Sequence, residues 1–303
     1  MEKHYKNVVL PNFLIVGAAK AGTTSIYKYI NNHPQIFMSK VKEPCFMVYA
    51  DEEPTFTKGR SDFFVNKYED YINLFKGTDN YKIYGEASTP YLYFYNKTIT
   101  NLKKYIPEYR KIRILIILRN PIDRAFSQFM MNKRDMTEDL SFEEAIDKED
   151  ERKRLNYHFD YFYVDRGLYY EQVKAFLKNF EHVKVLLYED LQENAEDVVK
   201  GIYSFLELEE GINDKEYVKY NVSGSPKIKL VNRFLQEKSK IKDIMKKILP
   251  QEVRTNLRHL IYRYNLKKDV MSKKTRERLK ETYRNDVELL SELIRRDLSD
   301  WLK

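Results

Sequence analysis

The chain has 303 residues, 43% of them hydrophobic, with 54 Lys and Arg against 46 Asp and Glu and a net charge of +8. Cys45 is its single cysteine, which excludes an internal disulfide. No apolar stretch is long enough to span a membrane, and the run Phe13 to Val16, followed soon by Lys20, is too short for a signal peptide, so a cytoplasmic protein is expected.

The first predicted element is a short buried strand over residues 13–17. It runs into a glycine-bearing loop, Gly17 to Gly22, with Thr23, Thr24 and Ser25 opening a helix. Backbone amides in such a loop and at a helix N-terminus bind phosphate. The glycine spacing is that of a P-loop, but the lysine is displaced: Thr23 follows the second glycine, and Lys20 lies two residues before it. The loop is therefore expected to hold a phosphate of a nucleotide whose reactive group is not a γ-phosphoryl. The helix keeps apolar spacing through Ile26, Tyr29 and Ile30, and His33-Pro34 stops it.

Further strands are expected at 83–87, 112–118 and 183–188, separated by helical stretches. That alternation predicts an α/β protein, P-loop-like, with a central parallel sheet flanked by helices and ligands bound beyond the carboxyl ends of the strands. The apolar run Ile112 to Leu118 ends in Arg119-Asn-Pro and reaches Ser127 eight residues on. A guanidinium and a serine hydroxyl suit a phosphate, although a strand-end turn with a solvated charge reads better from these residues alone. No repeat or Ser/Gly-rich linker interrupts the chain, so residues 1–303 read as one domain. Around 228–270 lies a basic helical insertion: from Lys227 to Lys268 thirteen Lys and Arg face three acidic residues, Glu237, Asp243 and Glu252. A solvated helical face, an acidic glycan or peripheral contact with an anionic membrane would each explain it; no nucleic-acid module is recognisable, and no nucleic-acid partner is expected.

Taken together, Lys20 to Ser25 and Arg119 to Ser127 resemble the two nucleotide-binding segments of sulfotransferases that use 3′-phosphoadenosine 5′-phosphosulfate (PAPS) as co-substrate. The resemblance is nearest to the branch containing heparan sulfate sulfotransferases and bacterial relatives, and it extends to Lys42 to Met47 and to Tyr84 to Tyr91. It implies that the loop Lys20, Ala21, Gly22, Thr23, Thr24 and Ser25 holds the 5′-phosphate, and that Arg119 and Ser127 hold the 3′-phosphate. Lys20 would neutralise the leaving oxygen. Lys227, in the segment from Asn221, would add a contact from a loop over the nucleotide; relatives often close that loop with a disulfide, which one cysteine forbids. Where the branch often carries Lys after Glu86, this chain has Ala87.

The same resemblance makes Glu43 the general base, provided burial raises its pKa towards neutrality. From the residues alone, a surface carboxylate paired with Lys42 is the stronger reading. Glu86 is the second choice, leaning towards a structural or acceptor-orienting role. His33, in a His-Pro helix stop, reads as structural, and His158 either lines the acceptor groove or belongs to a surface aromatic cluster. The acceptor implied is a carbohydrate or glycolipid, with Lys133, Arg134, Arg152 and Arg154 able to hold an anionic polymer. No metal site is expected, since no His/Cys cluster has ligand spacing. Two other readings stand beside this one: a P-loop kinase with a displaced lysine, and a non-catalytic nucleotide- or glycan-binding protein.

Overall fold

A computed structural model describes residues 9–59, 64–77, 80–209, 225–226, 266–267 and 269–303. Five parallel strands form one sheet in the order β2-β3-β1-β4-β5: β1 (Phe13–Gly17), β2 (Ile36–Met38), β3 (Ile83–Ala87), β4 (Arg113–Leu118) and β5 (His182–Leu187). Four of the five were legible as apolar runs. The missed strand, β2, is only three residues long at the sheet edge, too short to show a period. Phe13 to Val16 and Ile114 to Leu118 are wholly enclosed, as expected where helices cover both faces of a parallel sheet.

The flanking helices position the site. Helix α1 (Thr23–Ile30) follows β1 directly. Helices α2 (Phe46–Tyr49) and α3 (Tyr68–Asn73) lead to β3, and α4 (Pro90–Tyr93) and α5 (Tyr95–Tyr105) leave it. After β4 comes α6 (Pro121–Arg134), then α7 (Phe142–Asp147), α8 (Glu149–Arg154) and α9 (Tyr170–Asn179) before β5; α10 (Tyr188–Glu193) and α11 (Ala195–Phe205) succeed it. A long C-terminal helix, Lys273–Ile294, buries Leu279, Tyr283, Val287 and Leu290.

The chain thus meets the expectation of a parallel α/β sheet with its loops at the strand ends. Lys227 and nearly all of the basic segment 228–270 lie outside the described residues; Leu266–Lys267, near its end, pairs antiparallel with Ser225–Pro226. Among the described residues no helix is long and apolar enough to cross a membrane.

Candidate active site

Strand β1 ends at Gly17, and the next five residues turn into α1. Gly22 occupies the N-cap position of α1 at φ 93°, a left-handed backbone that glycine adopts without a Cβ penalty. A Cβ there would also stand 3.0 Å from Leu191 and from the Tyr188 ring. Lys20 takes a left-handed backbone too, at φ 68°, without glycine's freedom. Among the described residues the amides of Gly22, Thr23 and Thr24 donate to no protein acceptor. The first amides of a helix lack intrahelical partners, so these three are available to an anion. Thr23 and Ser25 are buried against the core, whereas Thr24 and Lys20 are partly open.

The second segment leaves the neighbouring strand β4. Asn120 caps α6: its Oδ1 accepts from the amides of Ile122 at 3.0 Å and Asp123 at 3.4 Å, and Pro121 fills the first helical position, where a missing N–H costs nothing. Asn120 Nδ2 donates to the Trp301 carbonyl at 3.2 Å, and the Tyr169 hydroxyl donates to the Arg119 carbonyl at 3.1 Å. The turn that carries Arg119 is therefore fixed from two sides. The Arg119 guanidinium lies 4.8 Å from the centroid of the Tyr188 ring, and Nη1 donates to the Lys20 carbonyl at 3.1 Å. Three adjacent strand ends, those of β1, β4 and β5, so converge through Lys20, Arg119 and Tyr188.

Ser127 is buried on α6, one turn before Met131, whose Sδ receives the Lys20 ammonium at 3.4 Å. Burial, then the guanidiniums of Arg134 and Arg119, pull Lys20 down to about 7, while the carboxylates of Asp160 and Glu43 act the other way. A lysine surrounded by cations in this manner marks a place built for a negative charge that a ligand brings. Helical spacing from Ser127 points to Met131 and Arg134, yet neither was singled out as lying beside Lys20.

Glu43 sits on the loop after β2, its backbone at φ 58° and its amide donating to the Ala87 carbonyl at 3.0 Å. Its side chain is 37% exposed, not enclosed as expected. Lys42 Nζ meets Oε1 at 2.9 Å and the Thr89 hydroxyl donates to Oε2 at 3.3 Å. The pair with Lys42 is thus formed, and it supplies a cation beside Glu43 in a chain that has Ala87 at the position where relatives often carry lysine. Glu86 differs: it is 0% exposed, and burial pushes it up to about 7 against three hydroxyl donors, from Tyr91, Ser88 and Tyr71. With both oxygens engaged by hydroxyls and the side chain fully buried, Glu86 is not placed to take a substrate proton.

The histidines settle differently. His33 Nδ1 accepts from the Gln35 amide at 3.1 Å, leaving Nε2 for the Glu209 carbonyl at 3.2 Å, a structural role in the helix stop. His158 is buried, not on the surface, against Phe56 and Phe159. Of the four cations considered for an anionic acceptor, Arg152 is withdrawn: α8 turns it inward onto Glu138 at 2.7 Å and 3.0 Å. Arg134 forks onto Asp135 at 2.8 Å and 3.2 Å, and Lys133 donates to the Asp139 and Leu140 carbonyls.

The family model described as the sulfotransferase domain matches residues 10–295. A solved sulfotransferase from Alicyclobacillus acidocaldarius is 32% identical, with a TM-score of 0.74, over 98% of this chain and 100% of that one. The membrane-associated sulfotransferase kil1 of Dictyostelium discoideum is 29% identical over 150 residues, 48% of this chain and 29% of that protein. Carbohydrate sulfotransferase 15 of Homo sapiens is 25% identical over 161 residues, 42% of this chain and 28% of that protein. The chain therefore spans under a third of the length of these two curated relatives. The resemblance carried by Lys20 to Ser25 and Arg119 to Ser127 holds for nearly the whole chain, which belongs to the sulfotransferase domain family.

Proposed function

We propose that this chain transfers a sulfuryl group from PAPS to a hydroxyl or amine of a carbohydrate acceptor by in-line displacement. The observation that carries the reading is the convergence, at the ends of β1 and β4, of unbonded amides, Lys20 and Arg119, with Lys20 drawn down to about 7 by burial and neighbouring guanidiniums. The donor set fits a nucleotide with two separate phosphate groups. PAPS would supply an activated sulfuryl group on a phosphate leaving group.

The protein's own residues then divide three tasks. The amides of Gly22, Thr23 and Thr24 and the Thr24 hydroxyl hold the 5′-phosphate, with Ala21 and Ser25 completing the loop. Lys20 neutralises charge on the leaving oxygen, and a preorganised cation of this kind is worth most where water is excluded. Arg119 and Ser127 hold the 3′-phosphate, and Glu43, exposed and within the electrostatic reach of Lys20, takes the acceptor's proton. Lys227 as a further contact stays part of the proposal. The carbohydrate acceptor draws on carbohydrate sulfotransferase 15, whose domain is similar. Family membership also removes the main reason for the kinase reading, and intact Lys20, Glu43, Arg119 and Ser127 favour turnover over mere binding.

Calorimetric titration with 3′,5′-adenosine bisphosphate, in parallel with ATP–Mg²⁺ and an Arg119→Ala control, tests the nucleotide half of the reading. Tight binding of the bisphosphate that depends on Arg119 supports it; preference for ATP overturns it. Transfer of labelled sulfate from PAPS to a panel of glycans tests the acceptor half.

A further inference from the structure

Glu86 lies at the end of β3, in register with Leu14 of β1, and has no cation partner among the described residues. A carboxylate shut away from water in that manner is costly unless hydrogen bonds replace its hydration. Three hydroxyls do so. Tyr91 donates to Oε1 at 2.5 Å, Tyr71 to Oε1 at 3.1 Å and Ser88 to Oε2 at 2.7 Å.

Two of those hydroxyls have a second partner. The Cys45 amide donates to Ser88 Oγ at 3.1 Å, and the Met47 amide donates to the Tyr91 hydroxyl at 3.2 Å. A hydroxyl carries one hydrogen, so an oxygen that faces an incoming N–H must aim its own hydrogen elsewhere, here at Glu86. The direction of both bonds is fixed, and Glu86 must accept at both oxygens. Amides two residues apart, at Cys45 and Met47, are thus tied through hydroxyls to one buried carboxylate. Glu43 joins the same segment through its amide to Ala87 and through the Thr89 hydroxyl.

The segment needs such ties. Glu43 and Cys45 stand at φ 58° and 57°, left-handed conformations that non-glycine residues hold only where the surroundings over-determine them. We propose that Glu86 is a positioning residue: through Ser88 and Tyr91 it locks residues 43–47 in the strained backbone that presents the Glu43 carboxylate to the acceptor. The catalytic part of this inference rests on the reading of Glu43 as the base. The ionisable groups facing Glu86 are Tyr71 from α3, Tyr91 from α4 and, at longer range, Glu43 from the loop.

The test uses Glu86→Gln, which keeps the shape but sets an NH₂ group against a hydroxyl already fixed as a donor. Tyr91→Phe serves as a second variant that keeps the buried carboxylate while cutting the tie to Met47. In both, amide hydrogen exchange is expected to quicken across 43–49 and to stay unchanged across 13–25. Turnover with PAPS is expected to fall about 10- to 100-fold in kcat, with affinity for 3′,5′-adenosine bisphosphate within about twofold of the parent. In a Glu43→Ala background Glu86→Gln should cost no further turnover, because the group it positions is gone. Unchanged exchange at 43–49, or the same cost in both backgrounds, overturns the proposal. Full turnover by Glu43→Ala alone sinks the assignment of the base, while the exchange measurement still decides whether Glu86 holds the segment.

Discussion

Arg119 Nη1 donates to the main-chain carbonyl of Lys20 at 3.1 Å, so the residue proposed to grip one phosphate also braces the residue proposed to neutralise the other end of the nucleotide. The brace links the ends of β1 and β4 and suits a lysine whose own backbone is left-handed. Arg119→Ala is therefore expected to lower both nucleotide affinity and kcat, whereas loss of a phosphate contact alone would lower only the first. Affinity for 3′,5′-adenosine bisphosphate should fall by about 10- to 100-fold, as for a charge-assisted hydrogen bond. Calorimetry and initial rates at saturating PAPS separate the two effects.

Lys20 titrates near 7 in the ligand-free protein because of burial and the nearby Arg134 and Arg119 guanidiniums. A bound anion favours the ammonium, so binding raises this pKa and takes up a proton wherever the free lysine is neutral. Above pH 7 the affinity for 3′,5′-adenosine bisphosphate should weaken by up to about tenfold per pH unit. Titrations at pH 8 in buffers of different ionisation enthalpy are expected to show net proton uptake. In Lys20→Ala that uptake should vanish and turnover be lost, with part of the nucleotide affinity retained.

Glu43→Gln keeps the size of the side chain and removes its basicity. The expected result is a loss of about 10²- to 10⁴-fold in kcat, the range of a general base. Nucleotide affinity should be unchanged, since Glu43 stands on the loop after β2 and not on the phosphate loop. Single-turnover rates with an excess of enzyme would show whether the loss falls on the chemical step.

Gly22→Ala meets two obstacles at once, the backbone at φ 93° and side chains of Leu191 and Tyr188 at 3.0 Å. The strain alone costs about 1 kcal/mol or more. Because Tyr188 also stacks under Arg119, the displacement should reach the proposed nucleotide site. A lowered melting temperature together with weakened bisphosphate binding is the expected outcome, read by thermal unfolding with and without ligand.

Glu86 gives a stability signature with a defined sign. Its folded value of about 7 lies above the ordinary 4.5, so its contribution to stability is fully present below pH 4.5 and is lost as pH rises through 7. The stability of the parent relative to Glu86→Gln, which does not titrate, should therefore fall by about 3 kcal/mol between pH 4 and pH 8. Urea unfolding of both proteins across that range measures it.

Four of the five strands and the glycine loop after β1 were legible in the sequence because apolar runs and glycine spacing are local signals. Asn120-Pro121 was readable as a strand-end turn, and its capping bonds bear that out. What stayed hidden depends on packing between distant segments. Glu86 looks like any strand glutamate until Tyr71, Ser88 and Tyr91 close around it. Arg152 looked available for an acceptor until α8 carried it onto Glu138, fourteen residues away in sequence. The exposure of Glu43 and its ion pair with adjacent Lys42, by contrast, match what the residues alone favoured, a surface carboxylate beside its neighbour; only the enclosure that the resemblance asked for is missing.

Trp301 is the only tryptophan in the chain, and its carbonyl receives the side chain of Asn120, the neighbour of Arg119. Its ring lies 6.3 Å from that of Tyr169, whose hydroxyl holds the Arg119 carbonyl. The protein thus carries a built-in optical probe at the base of the proposed nucleotide site. Emission excited at the indole comes from one place, and a change on adding nucleotide reports that place without any label or engineered dye.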